Sequence, residues 1–371
     1  MASNTDDFFE GKRPWSIIKD EVLASYMPIY LAKVKFLQRP ILIVDGFAGP
    51  GIFDDGTEGS PIIICRSADA FLKGGYQAVF INKNKEHHQK LTHVLEKENW
   101  QGSARSILGD TTKILPMLPA IIRDFTVFLY LDPFGPTGSS FNLLEPFLTR
   151  GTAHSTEIVL MLHMPVLHRL AARNKFNEGG ETPQIHNSHM TLTRVFGGDY
   201  WKKIMFNPDL TTEEREKQLV SAYTAKLSQY LPYVGSCPVR TSERDRIKYF
   251  IVFASGHPDA MLKMNDIMAQ AYFKRMHMSA FAGTLFEKTT WEEQRTTKGL
   301  REAIILQSVK YPGFTRKNLW VKVIQENFMR YLEKEYRAAV NLLINEGVLA
   351  CPTPRKTKRL NDDCELFIAT K

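Results

Sequence analysis

The sequence predicts an α/β fold: a mostly parallel sheet covered on both faces, a helical insertion late in the sheet, and a small C-terminal helical domain. Three observations carry that expectation. Strand-length apolar runs alternate with helical stretches from residue 41 to residue 162. One run, Ile41-Leu42-Ile43-Val44, ends in Asp45 and a loop rich in small residues, Gly46-Phe47-Ala48-Gly49-Pro50-Gly51. A later apolar run ends in Leu131-Asp132-Pro133-Phe134-Gly135.

Trp15, Ile18, Val22, Tyr26 and Tyr30 recur at helical spacing, so residues 15–36 read as a helix. Strands follow at 41–45, 77–82, 104–108, 126–132 and 156–162, with helices at 61–73, 86–98, 111–122 and 140–149 between them. Continuous apolar strands separated by helices belong to parallel sheets buried on both faces. Residues 165–232 break the rhythm as a polar, helix-rich insertion with turn and cap signals at Asn187, Gly197-Gly198 and Thr211-Thr212-Glu213-Glu214. The sheet resumes with Pro238-Val239-Arg240 and residues 248–254, an expected closing antiparallel hairpin, and a helix near 258–276 is expected to pack on it.

Helices are expected at 299–309, 315–327 and 333–346, the last stopped by Gly347. Val348-Leu349-Ala350, a basic loop and Glu365-Leu366-Phe367-Ile368-Ala369 follow. Three helices and a two-stranded wing describe a winged helix-turn-helix, the alternative being a small helical dimerisation domain. The resulting division is an N-terminal helical segment over 1–36, an α/β domain over 37–290 and a winged domain over 299–371.

The chain has 371 residues, 43% hydrophobic and 24% charged, with a net charge of +8. That is ordinary for a soluble globular protein and leans toward polyanionic partners, although solubility alone also accounts for such a charge. No apolar run is long enough to span a membrane, and the polar, acidic N-terminus does not read as a signal peptide. Cys65, Cys237, Cys351 and Cys364 lack CxxC spacing. Neither a disulfide framework nor a zinc site is expected, and a reducing cytoplasm is the simplest location.

The glycine loop departs from the GxGxxG pattern that seats a pyrophosphate. Its leading acid and tight Gly49-Pro50-Gly51 spacing suit a ligand without pyrophosphate, such as S-adenosylmethionine. Asp45 would attract the ammonium of the methionine end, and the backbone of Gly46, Phe47, Ala48, Gly49 and Gly51 would bind its carboxylate. The alternative is a plain strand-to-helix turn. Asn82 stands at the second strand end, where an acid usually binds ribose, and is followed by Lys83, Lys85 and Glu86. Asp110, after the third strand, is placed to take an adenine amino proton or to cap the next helix.

Asp132 is expected to accept a hydrogen bond from a substrate amine. Pro133 would leave carbonyls facing that amine, and Phe134 would stack on a planar ring; the alternative is a proline-started turn. His87-His88 read as helix surface, His163 and His168 as residues flanking Pro165, and His186 and His189 as a pair in the insertion, with no metal site expected. Lys334, Arg337, Arg355, Lys356, Lys358 and Arg359 would follow phosphates, or form a solvated tip.

Taken together, Trp15 with Lys19, the 45–51 loop, Gly59-Ser60-Pro61, Asp132-Pro133-Phe134-Gly135, Phe253-Ala254 with His257-Pro258, and the terminal helices resemble the three-Cys-motif partner protein family (TcmP) over nearly the whole chain. The resemblance implies a bacterial or phage protein with a Rossmann-like class I methyltransferase fold and a C-terminal winged helix. It also implies a separate cysteine-motif partner similar to radical S-adenosylmethionine enzymes. More distantly, Asp45 to Gly51 is similar to the opening motif of amino-methyltransferases acting on adenine or guanine. Those carry a second proline that is absent here, and Phe134 stands one place early. The function expected is S-adenosylmethionine-dependent methylation of nucleic acid at a base exocyclic amine. The alternatives are a catalytically weak adaptor for the cysteine-motif partner and a ligand-sensing transcription regulator.

Overall fold

A computed structural model describes residues 14–150, 155–171, 182–241, 245–280, 297–352 and 361–369, with side chains at 14, 15 and 275–280 outside the description. The chain divides into two compact units, Met1–His257 and Pro258–Lys371.

The first unit is built on seven strands: β1 (Ile41–Asp45), β2 (Gln77–Asn82), β3 (Ala104–Leu108), β4 (Thr126–Leu131), β5 (Thr156–His163), β6 (Tyr233–Val239) and β7 (Tyr249–Ser255). Their order in the sheet is β3-β2-β1-β4-β5-β7-β6. β1 pairs in parallel with both β2 and β4, and β7 alone runs antiparallel, between β5 and β6. Strand order therefore reverses between β1 and β4. In open α/β sheets that switch point, at the carboxyl ends of the strands, is where ligands bind. β1, β4 and all of β5 but its last residue are fully buried, as their continuous apolar sequences require.

Alternation along each strand sorts side chains onto two faces. One face carries Tyr130 and Phe128 of β4, and Phe253 of β7, under helix α1 (Pro14–Val34). Ile18, Val22, Tyr26 and Tyr30 of α1 are almost wholly buried, and Tyr26 packs against Phe128 and Phe253 at ring-centroid distances of 6.2 and 5.4 Å. The N-terminal helix is thus a layer of the sheet domain rather than an appendage. Helices α2 (Ser60–Leu72) and α3 (Lys85–Lys97) follow β1 and β2.

The opposite face carries Leu42, Val44, Val127, Leu129, Leu160 and Val252 against the elements that come after β3. These are α4 (Thr111–Ile114), α5 (Phe141–Leu148), α6 (Met164–Leu170), α7 (Pro183–Phe196), α8 (Trp201–Met205) and α9 (Thr212–Leu227). Phe196, Trp201, Leu219, Tyr223 and Leu227 of the insertion are buried in the same cluster as the strands. At about 1.5–3 kcal/mol for each fully buried large apolar side chain, the insertion is a structural layer of the domain. The helix expected over 111–122 stops at Ile114 and continues as a 3-10 stretch, Leu115–Ala120, because Pro116 and Pro119 cannot donate the bonds an α-helix needs.

In the second unit, α10 (Pro258–Ala280) is followed by α11 (Thr297–Lys310), α12 (Arg316–Glu326), α13 (Glu333–Asn345) and a ribbon of β8 (Leu349–Ala350) with β9 (Phe367–Ile368). The helix expected to pack on the sheet is thus the opening element of this unit. Its fully buried Asn265 donates to the Tyr331 carbonyl at 2.9 Å and accepts from the Met329 amide at 2.7 Å, fixing the turn between α12 and α13. Trp320 stacks on Tyr336 at 4.5 Å. Gly347, at φ +69°, closes α13 as its sequence position predicts.

One expectation is corrected. The structure joins Cys351 to Cys364, whose Cα atoms are 6.3 Å apart. Spacing in sequence does not reveal the pair, because antiparallel β8 and β9 bring the two limbs together. The basic positions Arg355, Lys356, Lys358 and Arg359 lie outside the described residues.

Glu157, buried on β5, accepts hydrogen bonds from the Tyr26 hydroxyl at 2.6 Å and the Ser255 hydroxyl at 3.1 Å. Burial pushes its carboxyl up to about 7 despite those bonds, from an ordinary 4.5. Between these values the folded chain holds a proton that the unfolded chain has lost. Stability therefore falls as pH rises through this window and levels off above it. Glu157→Gln removes that ionisation. Urea denaturation across pH 4.5–7 is expected to show the variant gaining on wild type by up to about 3 kcal/mol.

Candidate active site

The two carboxylates singled out by sequence emerge at the carboxyl ends of the paired strands β1 and β4, with Asp45 opposite Tyr130 in the register and Asp132 just past the end of β4. This is the switch point of the sheet. Asp45 is fully buried. Its Oδ1 accepts from the Phe47 amide at 3.0 Å and its Oδ2 from the Ser60 hydroxyl at 2.6 Å. Burial pushes its carboxyl up to about 7, although the Ser60 and Phe47 bonds pull the other way. Asp45 thus ties the start of the loop to the start of α2, and its first task is to shape the loop.

The three glycines differ in why they are needed. A Cβ on Gly46 would fall 2.6 Å from Leu131 Cδ2, and the Gly46 carbonyl accepts from the Thr111 hydroxyl, so close packing demands the absence of a side chain. Gly51 has φ +85°, where other residues are strained. Gly49 faces open space: a Cβ there would meet nothing within 4 Å. The open side of the loop is therefore at Gly49, between Ala48, whose amide donates to the Ile81 carbonyl at 3.2 Å, and the buried Pro50. Phe47 packs where a Cβ on Gly138 would sit, beside Pro133, which locks the β1 loop to the turn after β4.

Asn82 is buried, and its amide donates to the Gly49 carbonyl at 3.3 Å. The structure places it as a clamp on the glycine loop. Asp110 caps α4, accepting from the Thr112 amide at 2.9 Å, and pairs with Lys83 at 3.2 Å. Its hydrogen bonds from Thr112 hold its carboxyl below the ordinary value. Of the two roles its position suggested, capping is the one made by its contacts.

Asp132 is the centre of a charged cluster. Lys19 of α1 donates to its Oδ2, and Nε2 of His163, at the end of β5, lies 3.5 Å from its Oδ1. Burial alone would raise this carboxyl, but the Lys19 charge and the neighbouring His163 outweigh it and hold the group well below the usual carboxylate range. For Lys19, burial opposes the charge and the carboxylates of Asp132, Asp20 and Asp45 overcome it, so its ammonium holds its proton more firmly than usual. Tyr130 is buried beside these acids, and its hydroxyl has no hydrogen-bond partner among the described residues. Pro133 is buried, whereas Phe134 is 62% exposed at the rim.

Sequence reasoning set His163 aside as a residue flanking Pro165. The signal that would have found it is the two-residue period: Glu157 and His163 share a face of β5, as Tyr130 and Asp132 share the corresponding face at the end of β4. In the second unit, Arg337 is bound by Glu333 at 3.0 Å and faces Asp362 at 3.4 Å, so its charge is balanced internally. Lys334 is exposed. No group of three or more metal-ligating side chains occurs among the described residues, and no helix among them is long and apolar enough to cross a membrane.

The strand order and the paired strand ends define a Rossmann-like α/β protein with a site at its switch point. No family model and no curated protein matches the chain. Among solved structures, a methyltransferase from Geobacter sulfurreducens matches at 15% identity over 36% of this chain and 58% of that one, with a TM-score of 0.26. An O-methyltransferase from Bacillus cereus, solved in complex with SAH, matches at 14% identity over 67% of this chain and 94% of its own, with a TM-score of 0.32. A Legionella pneumophila protein matches at 8% identity over 71% and 92%, with a TM-score of 0.41. The chain spans under two thirds of the Geobacter protein's length. Scores this low say nothing of activity, and the fold assignment stands on the sheet itself.

The glycines give a paired test. Gly46→Ala is expected to cost about 1–3 kcal/mol in denaturant melts, because buried Leu131 cannot move aside. Gly49→Ala is expected to stay within about 0.5 kcal/mol of wild type. A large loss from Gly49→Ala would contradict the open side of the loop.

Proposed function

We propose that the chain is a class I S-adenosylmethionine-dependent methyltransferase that acts on nucleic acid, at a base exocyclic amine. The observation that carries this reading is the meeting of the Asp45 loop and Asp132 at the switch point of the sheet. The residues fit such a cofactor. Gly49 leaves a space that no side chain fills, and the buried Tyr130 hydroxyl beside the two acids is unpartnered among the described residues. Gly46 to Gly51, shaped by Asp45 and clamped by Asn82, would hold the methionine end, and the Asp110 region would border the adenine. When bound, S-adenosylmethionine supplies a methyl group activated by a sulfonium.

The chain's own part is positioning. Fixing donor and acceptor in line accounts for much of the acceleration of such a transfer. Exposed Phe134 gives the rim a flat apolar surface on which a base can stack. The last three helices and the ribbon of the second unit are read as a winged helix that docks nucleic acid, with exposed Lys334 and the basic residues of 355–359 following phosphates. A cysteine-motif protein is the proposed partner.

A specific observation favours a second reading. Asn82 and Asp110, the residues placed for ribose and adenine, both spend their polar groups on the fold. A methyltransferase-shaped adaptor with weak cofactor affinity would look the same. Isothermal calorimetry separates the two. Wild type is expected to give measurable heat with S-adenosylmethionine, and Asp45→Asn to weaken binding about tenfold, near 1.4 kcal/mol. No heat from wild type would leave the adaptor. Mass spectrometry of nucleosides from cells carrying the gene and its neighbour should show a methylated base that disappears with Asp132→Ala.

A further inference from the structure

Three strands and α1 converge on one polar cluster at the carboxyl edge of the sheet. Asp132 stands at the end of β4 and His163 at the end of β5, where it pairs in register with Tyr249 of β7. The His163 ring lies 5.4 Å from the Tyr249 ring. Lys19 of α1 holds one Asp132 oxygen, and the other faces His163 Nε2 at 3.5 Å. At that separation the two groups face each other without a formed hydrogen bond. Nε2 is buried without a hydrogen bond, while the His163 side chain as a whole is 31% exposed. Nδ1 has no hydrogen-bond partner among the described residues, so the ring shows one edge to an anion and keeps the other unclaimed.

We infer that His163 is the proton acceptor of the transfer and that Asp132 is its positioning residue, a role that rests on the methyltransferase reading above. Asp132 faces the ring with a carboxylate, which selects the tautomer with hydrogen on Nε2 and leaves the Nδ1 lone pair outward. Lys19 keeps Asp132 an anion and occupies the oxygen that a substrate amine would otherwise have taken. This reassigns the direct contact with the amine, expected of Asp132 from sequence, to His163. The acceptor nitrogen uses its lone pair to bond the methyl carbon. The electrons of the breaking carbon–sulfur bond leave with sulfur, and the N–H proton passes to His163 Nδ1 and on to solvent.

The test uses the full chain in wild-type, His163→Gln, His163→Gly, Asp132→Asn and Lys19→Met forms. Nitrogen-15 correlation spectra read the imidazole tautomer, with the His163 signals identified by their loss in His163→Gln. The expected result is hydrogen on Nε2 in wild type and a mixture of tautomers in Asp132→Asn and Lys19→Met. Heat of binding to S-adenosylhomocysteine should change less than about twofold in His163→Gln. Transfer of labelled methyl to total nucleic acid should fall on the order of 10²- to 10⁴-fold, with partial recovery of His163→Gly by added imidazole. Hydrogen on Nδ1 in wild type, or transfer by His163→Gln within about threefold of wild type, overturns the assignment while leaving the methyltransferase reading intact. A wild-type chain that neither binds S-adenosylhomocysteine nor transfers label overturns both. Melting curves of each variant identify loss by unfolding, and His163→Asn, smaller and uncharged, must then reproduce the effect.

Discussion

The first unit depends on one helix lying along one face of the sheet, held at two points by polar contacts, one part-buried and one buried. At one point Lys19 meets Asp132, and at the other Tyr26 meets Glu157 at 2.6 Å. The dimensions agree. Seven helical residues separate Lys19 from Tyr26, a rise of about 10 Å. The register sets Leu131 opposite Leu160, so Asp132 lies about four strand residues beyond Glu157, or about 13 Å. From the second tie onward, aromatic packing of Tyr26 and Tyr30 on Phe128 fixes the helix sideways. The polar ties set its position along the strands, which apolar packing alone would leave free to slide.

Local contacts also explain why three carboxylates have different characters. Asp45 and Glu157 are removed from water and Asp132 largely so, which by itself favours the neutral acid. Asp45 and Glu157 receive only hydroxyl and amide hydrogen bonds, and each is pushed up to about 7. Asp132 receives an ammonium and lies by a histidine, and its charge is secured. Neighbouring groups driven in opposite directions are a common mark of sites that handle protons. Here the division falls between Asp45 of β1, which shapes the loop, and Asp132 at the end of β4, which meets Lys19 and His163.

Much of the fold could be read from the sequence, because the strands of a covered parallel sheet are unbroken apolar runs. β1, β2 and β3 begin and end where the residues indicated, and the loop after β1 announced itself by its small residues. What escaped depends on contacts between distant segments. Asn82 and Asp110 stand where a ligand would be met, yet their hydrogen bonds go to Gly49 and Thr112. Nothing in the local sequence distinguishes an outward amide from one turned onto a carbonyl. His163 looked idle because its partner lies on another strand. Cys351 and Cys364 come together only once the ribbon pairs. The helix after β3 ended early because two prolines weighed more than its apolar spacing.

The separation along the chain of the groups that complete the site has a consequence for how it assembles. Lys19 and Asp132 are 113 positions apart, and Tyr26 and Glu157 are 131 apart. During synthesis the helix that carries Lys19 and Tyr26 emerges long before either acid it will meet. Contacts so remote are entropically slow to close. The carboxyl edge of the sheet is therefore among the last regions to become native, and a nascent chain stalled before β5 would carry the glycine loop without Glu157 to tie Tyr26.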